Sequence, residues 1–188
     1  MHVFIVNGKP RSGKDTFCEI MLSINGPSAT LIHSTIDKHK KILKEQFGWD
    51  GEKTPEMRKA LSDLKDFDTK YFDGPFKEMQ KLIDINKFAE EYPEYIIEEY
   101  YYPYSIIMFH IREPDEIDRV VTYCKKSDVP VTTVLLTRDM HREITNHADS
   151  DCEKYEYDVY CNNNGTVDDL KKNVIDIFSY YFAKKEQK

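Results

Sequence analysis

Several features that define other classes of protein are missing from this sequence. No apolar run approaches the length that crosses a membrane, and the first residues have a strand pattern rather than that of a signal peptide. The four cysteines are scattered, with no pair at the spacing of a metal site, which favours buried or half-buried free thiols in a reducing compartment. We therefore expect a cytoplasmic protein with no membrane partner.

An excess of positive charge is missing as well. The formal net charge is -7 at pH 7, whereas proteins that bind nucleic acids usually carry a basic surface. The chain has no internal repeat or low-complexity linker, and its 188 residues with 40% hydrophobic content suffice for one core. We predict a single domain over 1–188 and no nucleic-acid partner. A small phosphorylated substrate fits this acidity, because it needs positive charge only where it binds.

Short apolar runs alternate with segments of helical period along the chain. Strands are predicted at five of these runs: 3–6, 29–33, 105–111, 131–136 and 157–161. Helices are predicted between them: 16–23, 36–47, from Thr54 to about Lys65, 76–91, 113–126 and 166–182. Such alternation is typical of a parallel sheet with helices on both faces. We predict a three-layer α/β/α fold with about five parallel strands.

The segment between the first strand and the first helix carries the most specific motif of the chain. Two glycines five positions apart, followed by Lys14, have the spacing of a P-loop. The glycines allow successive backbone N–H groups to face phosphate oxygens, and the following helix directs its positive end to the same place. The alternative is a glycine-rich turn without a ligand. The motif predicts a P-loop NTPase fold and an ATP site formed by these residues: Gly8, Arg11, Ser12, Gly13, Lys14, Asp15 and Thr16.

Asp15 stands where a P-loop normally has Ser or Thr to meet magnesium. A carboxylate can bind Mg²⁺ directly or through water, so this change does not remove the metal function. We expect Asp15 and Thr16 to serve Mg²⁺. Lys9 and Arg11 add positive charge near the phosphates.

Arginines follow two of the predicted strands, at the sheet edge where ligands bind in such folds. Arg112 is expected to grip a phosphate, the alternative being a pair with an acidic neighbour at the helix start. Arg138 and Arg142 open a polar stretch, 138–151, which in a phosphotransferase would be a lid that brings cations to the transferring phosphoryl group. The alternative is a solvated loop, and His141 and His147 are expected on its surface.

Two further regions have a polar or aromatic composition that fits either a ligand or packing. Asp37 and Lys38 follow the second strand, where small kinases bind the acceptor, and they are weaker candidates for substrate contact. Residues 90–104 are rich in tyrosine and glutamate. These tyrosines could stack on a base, but packing of a helix end against the core is the favoured interpretation.

The sequence resembles nucleoside monophosphate kinase-type P-loop proteins, above all the phage-type deoxynucleoside monophosphate kinases and the animal-type phosphomevalonate kinases. The loop of that group reads Gly-Lys-x-x-Ser-Gly-Lys-Asp, which residues 8–15 match, aspartate included. A strand, an Asn-x-Gly turn and a final helix match 158–170, and arginines after strands match Arg112 and Arg138. One departure is His110, where the group tends to have an aspartate two residues before the arginine.

The resemblance implies a monomeric or homodimeric kinase that uses ATP and Mg²⁺ to phosphorylate a small monophosphate, in the first place a (deoxy)nucleoside monophosphate. Lys14 and the loop amides would hold the donor, Asp15 and Thr16 the metal, and Arg112 the acceptor phosphate. Arg138 and Arg142 would stabilise the transition state. The acceptor-binding insert falls at about 36–104, which matches nothing in the group and leaves the acceptor open.

Three alternatives remain. The first is the same chemistry on another acceptor, such as phosphomevalonate or dephospho-coenzyme A. The second is an ATP-binding regulatory module without turnover, which the histidine at position 110 favours because no acidic residue ends that strand. The third, a nuclease accessory or DNA-packaging protein, is weakened by the acidic charge and the single small domain.

Overall fold

A computed structural model describes residues 1–93, 103–139 and 152–183 of the chain. Its centre is a sheet of five parallel strands in the order β2-β3-β1-β4-β5. The strands have these bounds: β1 His2–Asn7, β2 Thr30–Ser34, β3 Ile106–His110, β4 Val131–Thr137 and β5 Val159–Asn162. The predicted parallel five-stranded sheet is therefore confirmed.

Strand β1 lies in the middle of the sheet and is buried along its whole length. Val6 is in register with His110 of β3, and Asn7 is in register with Leu135 of β4. Both faces of a parallel sheet are covered by helices, which explains the continuous apolar runs of β1 and β3. The loop that follows β1 consequently emerges between the carboxyl ends of two neighbouring strands.

Six α-helices connect or follow the strands in the described part of the chain. Their bounds are α1 Lys14–Asn25, α2 Asp37–Phe47, α3 Pro55–Phe72, α4 Gly74–Glu91, α5 Pro114–Lys126 and α6 Val167–Ala183, and a short 3₁₀ turn covers Pro27–Ala29. Alternate residues of β1 point to opposite faces of the sheet. Ile5 packs with the buried residues of α4 and α5, and Phe4 packs with those of α1 and α6. The helices thus form the two outer layers that the sequence predicts.

The two cores are made of side chains that are almost fully buried. Met79 of α4 and Ile117 of α5 lie on one face of the sheet, and Phe17 of α1 and Val174 of α6 lie on the other. Burial of an aliphatic or aromatic side chain of this size stabilises the fold by roughly 1.5–3 kcal/mol. The sheet and its first helix are therefore a rigid support for the loop between them.

One helix is longer than the sequence predicts. The prediction ends it at about Lys65, but α3 continues two turns further to Phe72, and Asp73 closes it in a left-handed conformation with φ 56°. The apolar period fades after Leu61 because Lys65 and Asp68 occupy buried positions in the last turns. When polar residues occupy the buried positions of a helix, its apolar period is interrupted, and a prediction from that period ends the helix too early.

The cysteines agree with the expectation of buried or half-buried free thiols. All four cysteines are buried, and none forms a disulfide. No helix within the described ranges is long and apolar enough to span a membrane.

The tyrosine-rich stretch is described only in part, because residues 94–102 lie outside the described ranges. Within the described part, Tyr92 stacks on Phe88 with ring centroids 5.0 Å apart.

Candidate functional site

The loop that joins β1 to α1 has an unusual backbone. Gly8, Arg11 and Gly13 have positive φ angles of 148°, 65° and 99°. The left-handed conformation costs an L residue roughly 1–2 kcal/mol, so the surrounding structure must hold Arg11 in place. Left-handed residues among right-handed ones turn successive N–H groups toward one concave side, which forms a nest for anions.

Both glycines of the loop lie where no side chain fits. A Cβ on Gly8 would collide with the carbonyl oxygen of Leu136 in β4, and a Cβ on Gly13 would collide with the side-chain amide of Asn163. That amide donates a hydrogen bond of 2.8 Å to the carbonyl of Ser12. The loop therefore packs closely against β4 and against the turn that follows β5.

The first turn of α1 begins with backbone N–H groups that lie ahead of its hydrogen-bond ladder. The first hydrogen bond of the helix runs from the N–H of Phe17 to the carbonyl of Gly13 at 2.8 Å, so the N–H groups of Lys14, Asp15 and Thr16 precede the ladder. No side chain among the described residues caps this end. The N–H donors at the start of a helix and the positive end of the helix dipole together favour a bound anion.

Lys14 places its ammonium group over the same loop. The Nζ atom donates to the carbonyl of Gly8 and, at 2.9 Å, to that of Lys9. Ser12, by contrast, is only 1% exposed, so its hydroxyl is shielded from solvent inside the loop. The loop, the helix end and Lys14 fit a polyphosphate, since all three direct positive charge to one place.

Asp15 and Thr16 follow in the first turn of α1. The Asp15 side chain is 89% exposed, and its carboxylate therefore has room for further ligands. No group of three or more His, Cys, Asp or Glu side chains in the described ranges could hold a metal ion. Mg²⁺ at a nucleotide typically takes only one or two protein oxygens, together with phosphate oxygens and water. A carboxylate and a hydroxyl beside the phosphate loop fit that requirement.

His110 ends β3 beside the first turn of α1. Its Nδ1 atom lies 3.9 Å from Oδ1 of Asp15, and its Nε2 atom lies 3.0 Å from Sγ of Cys18. Burial lowers the pKa of His110 below its usual value, and Lys14 acts in the same direction against the attraction of Asp15. Burial raises the pKa of Cys18 well above its usual value, so Cys18 is a thiol at neutral pH.

Asn7 connects the loop to Arg112. The residue is fully buried at the end of β1, and its Oδ1 accepts a hydrogen bond of 2.7 Å from the N–H of Gly8. Its Nδ2 donates to the carbonyl of Arg112 at 3.1 Å and to the hydroxyl of Tyr157 at 2.8 Å. Tyr157 in turn donates to the carbonyl of Cys152 at 2.7 Å. The predicted phosphate loop and the predicted acceptor arginine thus share one buried anchor.

A buried ion cluster lies directly after Arg112. Nζ of Lys65 in α3 is 2.6 Å from Oε2 of Glu113 and 3.3 Å from Oε2 of Glu116. Burial raises the pKa of Glu116, although Lys65 opposes the shift. The same lysine lowers the pKa of Glu113 by outweighing the effect of burial. The cluster ties α3 to the N-terminus of α5, and hence to the backbone that carries Arg112.

The predicted substrate candidates after β2 are held by ion pairs. Lys38 donates to Oδ2 of Asp68 at 2.9 Å, and the buried His39 approaches the same oxygen at 3.0 Å. Asp37 accepts from the N–H of Ser34 and pairs with Lys40 at 2.7 Å. These contacts give Asp37 and Lys38 a structural part in joining α2 to β2 and α3.

Of the predicted lid, only the first residues are described. Arg138 is exposed just beyond the end of β4. Asp139 is bound at both its N–H and its carboxylate by the side chain of Asn164, at 2.7 Å each. Residues 140–151 lie outside the described part of the chain, and with them Arg142, His141 and His147. Lys9 forms an ion pair of 2.7 Å with Glu153.

Three residues of this region were missed by the sequence interpretation. Asn7, Asn163 and Tyr157 place no charge at the site, and only Asn163 matches a motif position, in the Asn-x-Gly turn, but each bonds the loop or its neighbours. One signal was available for two of them. An asparagine at the carboxyl end of a strand, next to a glycine-rich loop or a turn, often bonds the backbone there.

Comparison with known protein sequences gives no family. No protein-family profile matches the chain, and no curated protein sequence is significantly similar to it. Evidence from similarity therefore comes from solved structures.

Two structures of the Mycobacterium tuberculosis APS kinase CysC are similar to this chain over nearly its whole length. One, in complex with AMPPNP and APS, has a TM-score of 0.51 at 8% sequence identity and covers 95% of this chain and 97% of its own. The other, a cysteine-to-alanine variant, has a TM-score of 0.50 at 9% identity, with coverages of 95% and 96%. At such identity the likeness concerns the fold. The chain has the three-layer fold of a P-loop NTPase, and residues 8–13 form the loop between β1 and α1.

Proposed function

We propose that this protein is an ATP- and Mg²⁺-dependent kinase that transfers the γ-phosphoryl group to the phosphate of a small monophosphate, in the first place a (deoxy)nucleoside monophosphate. The observation that carries the proposal is the position of Lys14, whose Nζ lies over the left-handed loop at the start of α1, a helix end that no side chain in the described part of the chain caps. The likeness in fold to an APS kinase whose structure contains AMPPNP supports a nucleotide in this place. The resemblance of residues 8–15 to monophosphate kinases supports the acceptor class.

In this function the chain positions phosphates and balances their charge. The loop amides and the N–H groups at the start of α1 bind the β- and γ-phosphates of the donor, and Lys14 neutralises them. Arg112 orients the acceptor phosphate in line, held by the bond from Asn7 to its carbonyl. Arg138 and Arg142 supply positive charge to the transferring group.

Magnesium would be held beside the donor by Asp15 and Thr16. Bound there, the ion would supply positive charge that neutralises the phosphates during transfer. The exposed carboxylate of Asp15 is available for this, directly or through water. No general base is required, because phosphoryl transfer depends chiefly on position and electrostatic stabilisation.

The experiment is a coupled ADP-release assay with ATP and Mg²⁺ against a panel of acceptors. The panel contains all (deoxy)nucleoside monophosphates, phosphomevalonate, dephospho-coenzyme A and APS. We expect turnover with one nucleoside monophosphate, reduced about 100-fold or more in Lys14→Ala, because a charge that acts on the transition state is removed. Lys59→Ala is the matched control, since Lys59 is 75% exposed and pairs with Asp63 on the surface of α3.

The other outcomes separate the alternatives. Turnover with phosphomevalonate, dephospho-coenzyme A or APS would keep the kinase and replace its acceptor. Binding of ATP that Lys14→Ala abolishes, without turnover on any acceptor, would support a regulatory nucleotide-binding module. His110 favours this second candidate, because no carboxylate ends β3. Failure to bind ATP at all would refute the proposal.

A further inference from the structure

The turn after β5 bonds two parts of the chain that the proposed function uses. Asn163 is only 7% exposed, and its Nδ2 donates to the carbonyl of Ser12, in the loop between β1 and α1, at 2.8 Å. The backbone N–H of the same residue donates to the carbonyl of Thr137, the last residue of β4, at 2.8 Å. One buried residue therefore connects the loop to the strand end that directly precedes Arg138.

The next residue of the turn bonds the other side of Arg138. Oδ1 of Asn164 accepts a hydrogen bond from the N–H of Asp139, and Nδ2 of Asn164 donates to Oδ2 of Asp139, each at 2.7 Å. A backbone N–H only donates and an ionised carboxylate only accepts, so both ends of the amide have a matching partner. The N–H of Asn164 in turn donates to Oδ1 of Asn162 at 2.9 Å. Arg138 consequently lies between two residues that the same turn bonds.

We propose that Asn164 is a positioning residue that, together with the buried Asn163, holds Arg138 at a fixed place relative to the loop between β1 and α1 and thereby directs its guanidinium to the γ-phosphate of a nucleotide bound there. The inference rests on the proposed function, because that function assigns the nucleotide to the loop and Arg138 to the transferring phosphoryl group. Arg138 is exposed just beyond the end of β4, so the direction of its backbone decides which volume its long side chain can reach.

A turn that merely stabilises the fold would behave differently. Asn164 and Asp139 are both exposed, and substitution of exposed residues usually changes the stability of a fold very little. A positioning role instead predicts that loss of the Asn164 amide weakens whatever Arg138 contacts. It also predicts that this effect disappears once Arg138 itself is removed, because two residues that act through one contact are not additive.

The test measures the contribution of the γ-phosphate to nucleotide binding. Isothermal titration calorimetry with excess Mg²⁺ gives the Kd of ADP and the Kd of AMPPNP, and the ratio of the first to the second reports that contribution. We expect Arg138→Ala to lower the ratio about 10-fold, because a charge-assisted contact is lost. Asn164→Ala should lower it about threefold or more, since the arginine remains but is no longer directed. In the Arg138→Ala protein, Asn164→Ala should have no further effect.

Exchange of the two bonded side chains provides a rescue. Asn164→Asp alone places two carboxylates against each other and should lower the ratio at least as far as Asn164→Ala does. Asp139→Asn alone keeps both bonds, because its amide oxygen can accept from Nδ2 of Asn164, and it controls for the lost charge. The double variant Asn164→Asp with Asp139→Asn restores both bonds at the net charge of the wild type. Its ratio should return to within about twofold of the wild-type value.

A residue of the following helix offers the matched control. Nδ2 of Asn173 in α6 donates to the carbonyl of Asn162 at 3.3 Å, so this amide bonds the same turn without contacting either neighbour of Arg138. Asn173→Ala should leave the ratio unchanged. Thermal unfolding of each variant confirms that it is folded. If Asn164→Asp does not fold, the comparison of Asn164→Ala in the wild-type and Arg138→Ala proteins decides the question.

The possible results separate this inference from the proposed function. A ratio that falls in Arg138→Ala but not in the Asn164 variants would overturn the positioning role and leave the proposed function intact. A fall in Asn164→Ala that persists without Arg138, or that the double exchange does not repair, would overturn it as well, because the turn would then act on another group. A ratio that Arg138→Ala leaves unchanged would overturn both the role of Arg138 and the inference. Binding of neither nucleotide would refute the proposed function itself.

Discussion

Replacement of Lys65 by methionine tests the buried ion cluster that supports Arg112. The methionine keeps the length and the apolar stem of the side chain but removes its charge. Lys65 lies between two carboxylates, Glu113 at 2.6 Å and Glu116 at 3.3 Å. The Lys65 and Glu116 side chains are 9% and 8% exposed, so Glu116 would lose its cation while remaining buried.

The expected loss of stability follows from these exposures. Removal of one partner of a buried pair costs about 3–5 kcal/mol. Glu113 is 40% exposed and is screened by water, so its pair with Lys65 adds at most about 1 kcal/mol. We therefore expect Lys65→Met to lower the free energy of unfolding by about 3 kcal/mol at pH 7.5, at the lower end of the range because the partly exposed site can admit water.

The loss should depend on pH with a definite sign. Burial already raises the pKa of Glu116, and without Lys65 the pKa rises further. A carboxyl group whose pKa is higher in the folded state than in the unfolded chain takes up its proton on folding, so its contribution favours the folded state at low pH. The difference between variant and wild type should therefore be largest at pH 7.5 and shrink toward pH 4.5.

Urea unfolding at several pH values between 4.5 and 7.5 measures this difference. The control is Lys59→Met on the same helix, which removes an exposed pair with Asp63 and should cost less than about 0.5 kcal/mol. The double variant Lys65→Met with Glu116→Gln should recover stability, because the buried charge is gone. A loss below about 1 kcal/mol at pH 7.5, or one independent of pH, would refute the reasoning.

Two further predictions concern the loop and its anchor. Gly13→Ala should lower the free energy of unfolding by about 2–3 kcal/mol, because it adds left-handed strain and displaces the Asn163 amide. Gly26→Ala has a similar φ of 92° with open space around it, so urea unfolding should show a loss of only about 1 kcal/mol. Tyr157→Phe removes the hydroxyl between Asn7 and Cys152 and should cost about 1–3 kcal/mol by the same assay, and an unchanged midpoint would contradict that bond.

Most of the fold could be predicted because its signals are local. Each apolar run that became a strand lies within seven consecutive residues, and helix starts such as Thr54-Pro55 act through their nearest neighbours. The end of α3 could not be predicted in this way. Lys65 and Asp68 resemble surface residues until Glu116 and His39, which are distant in sequence, supply their partners.

Part of the candidate site could likewise be predicted from the local sequence, and part of it could not. The spacing of Gly8, Gly13 and Lys14 predicts a phosphate loop because backbone conformation is set by adjacent residues, and the left-handed angles at both glycines agree with it. The buried anchor Asn7 was not predicted, although an asparagine at the end of a strand beside a glycine-rich loop often bonds the backbone there, as Asn7 does with Gly8. Its bonds to Arg112 and Tyr157 could not be found by a pattern search, because both partners are distant in sequence.

The loop and the strands of this protein thus follow from the local sequence, whereas the contact between Asp15 and His110 follows from the tertiary fold. The order of residues along the chain was enough to predict a loop with P-loop spacing after the first strand and a five-stranded parallel sheet. The meeting of Asp15 with His110 required the folded sheet, in which β3 lies beside β1 and its last residue comes next to α1. Residues 95 positions apart come within 3.9 Å only through strand pairing, and that pairing depends on the burial of side chains from the whole chain.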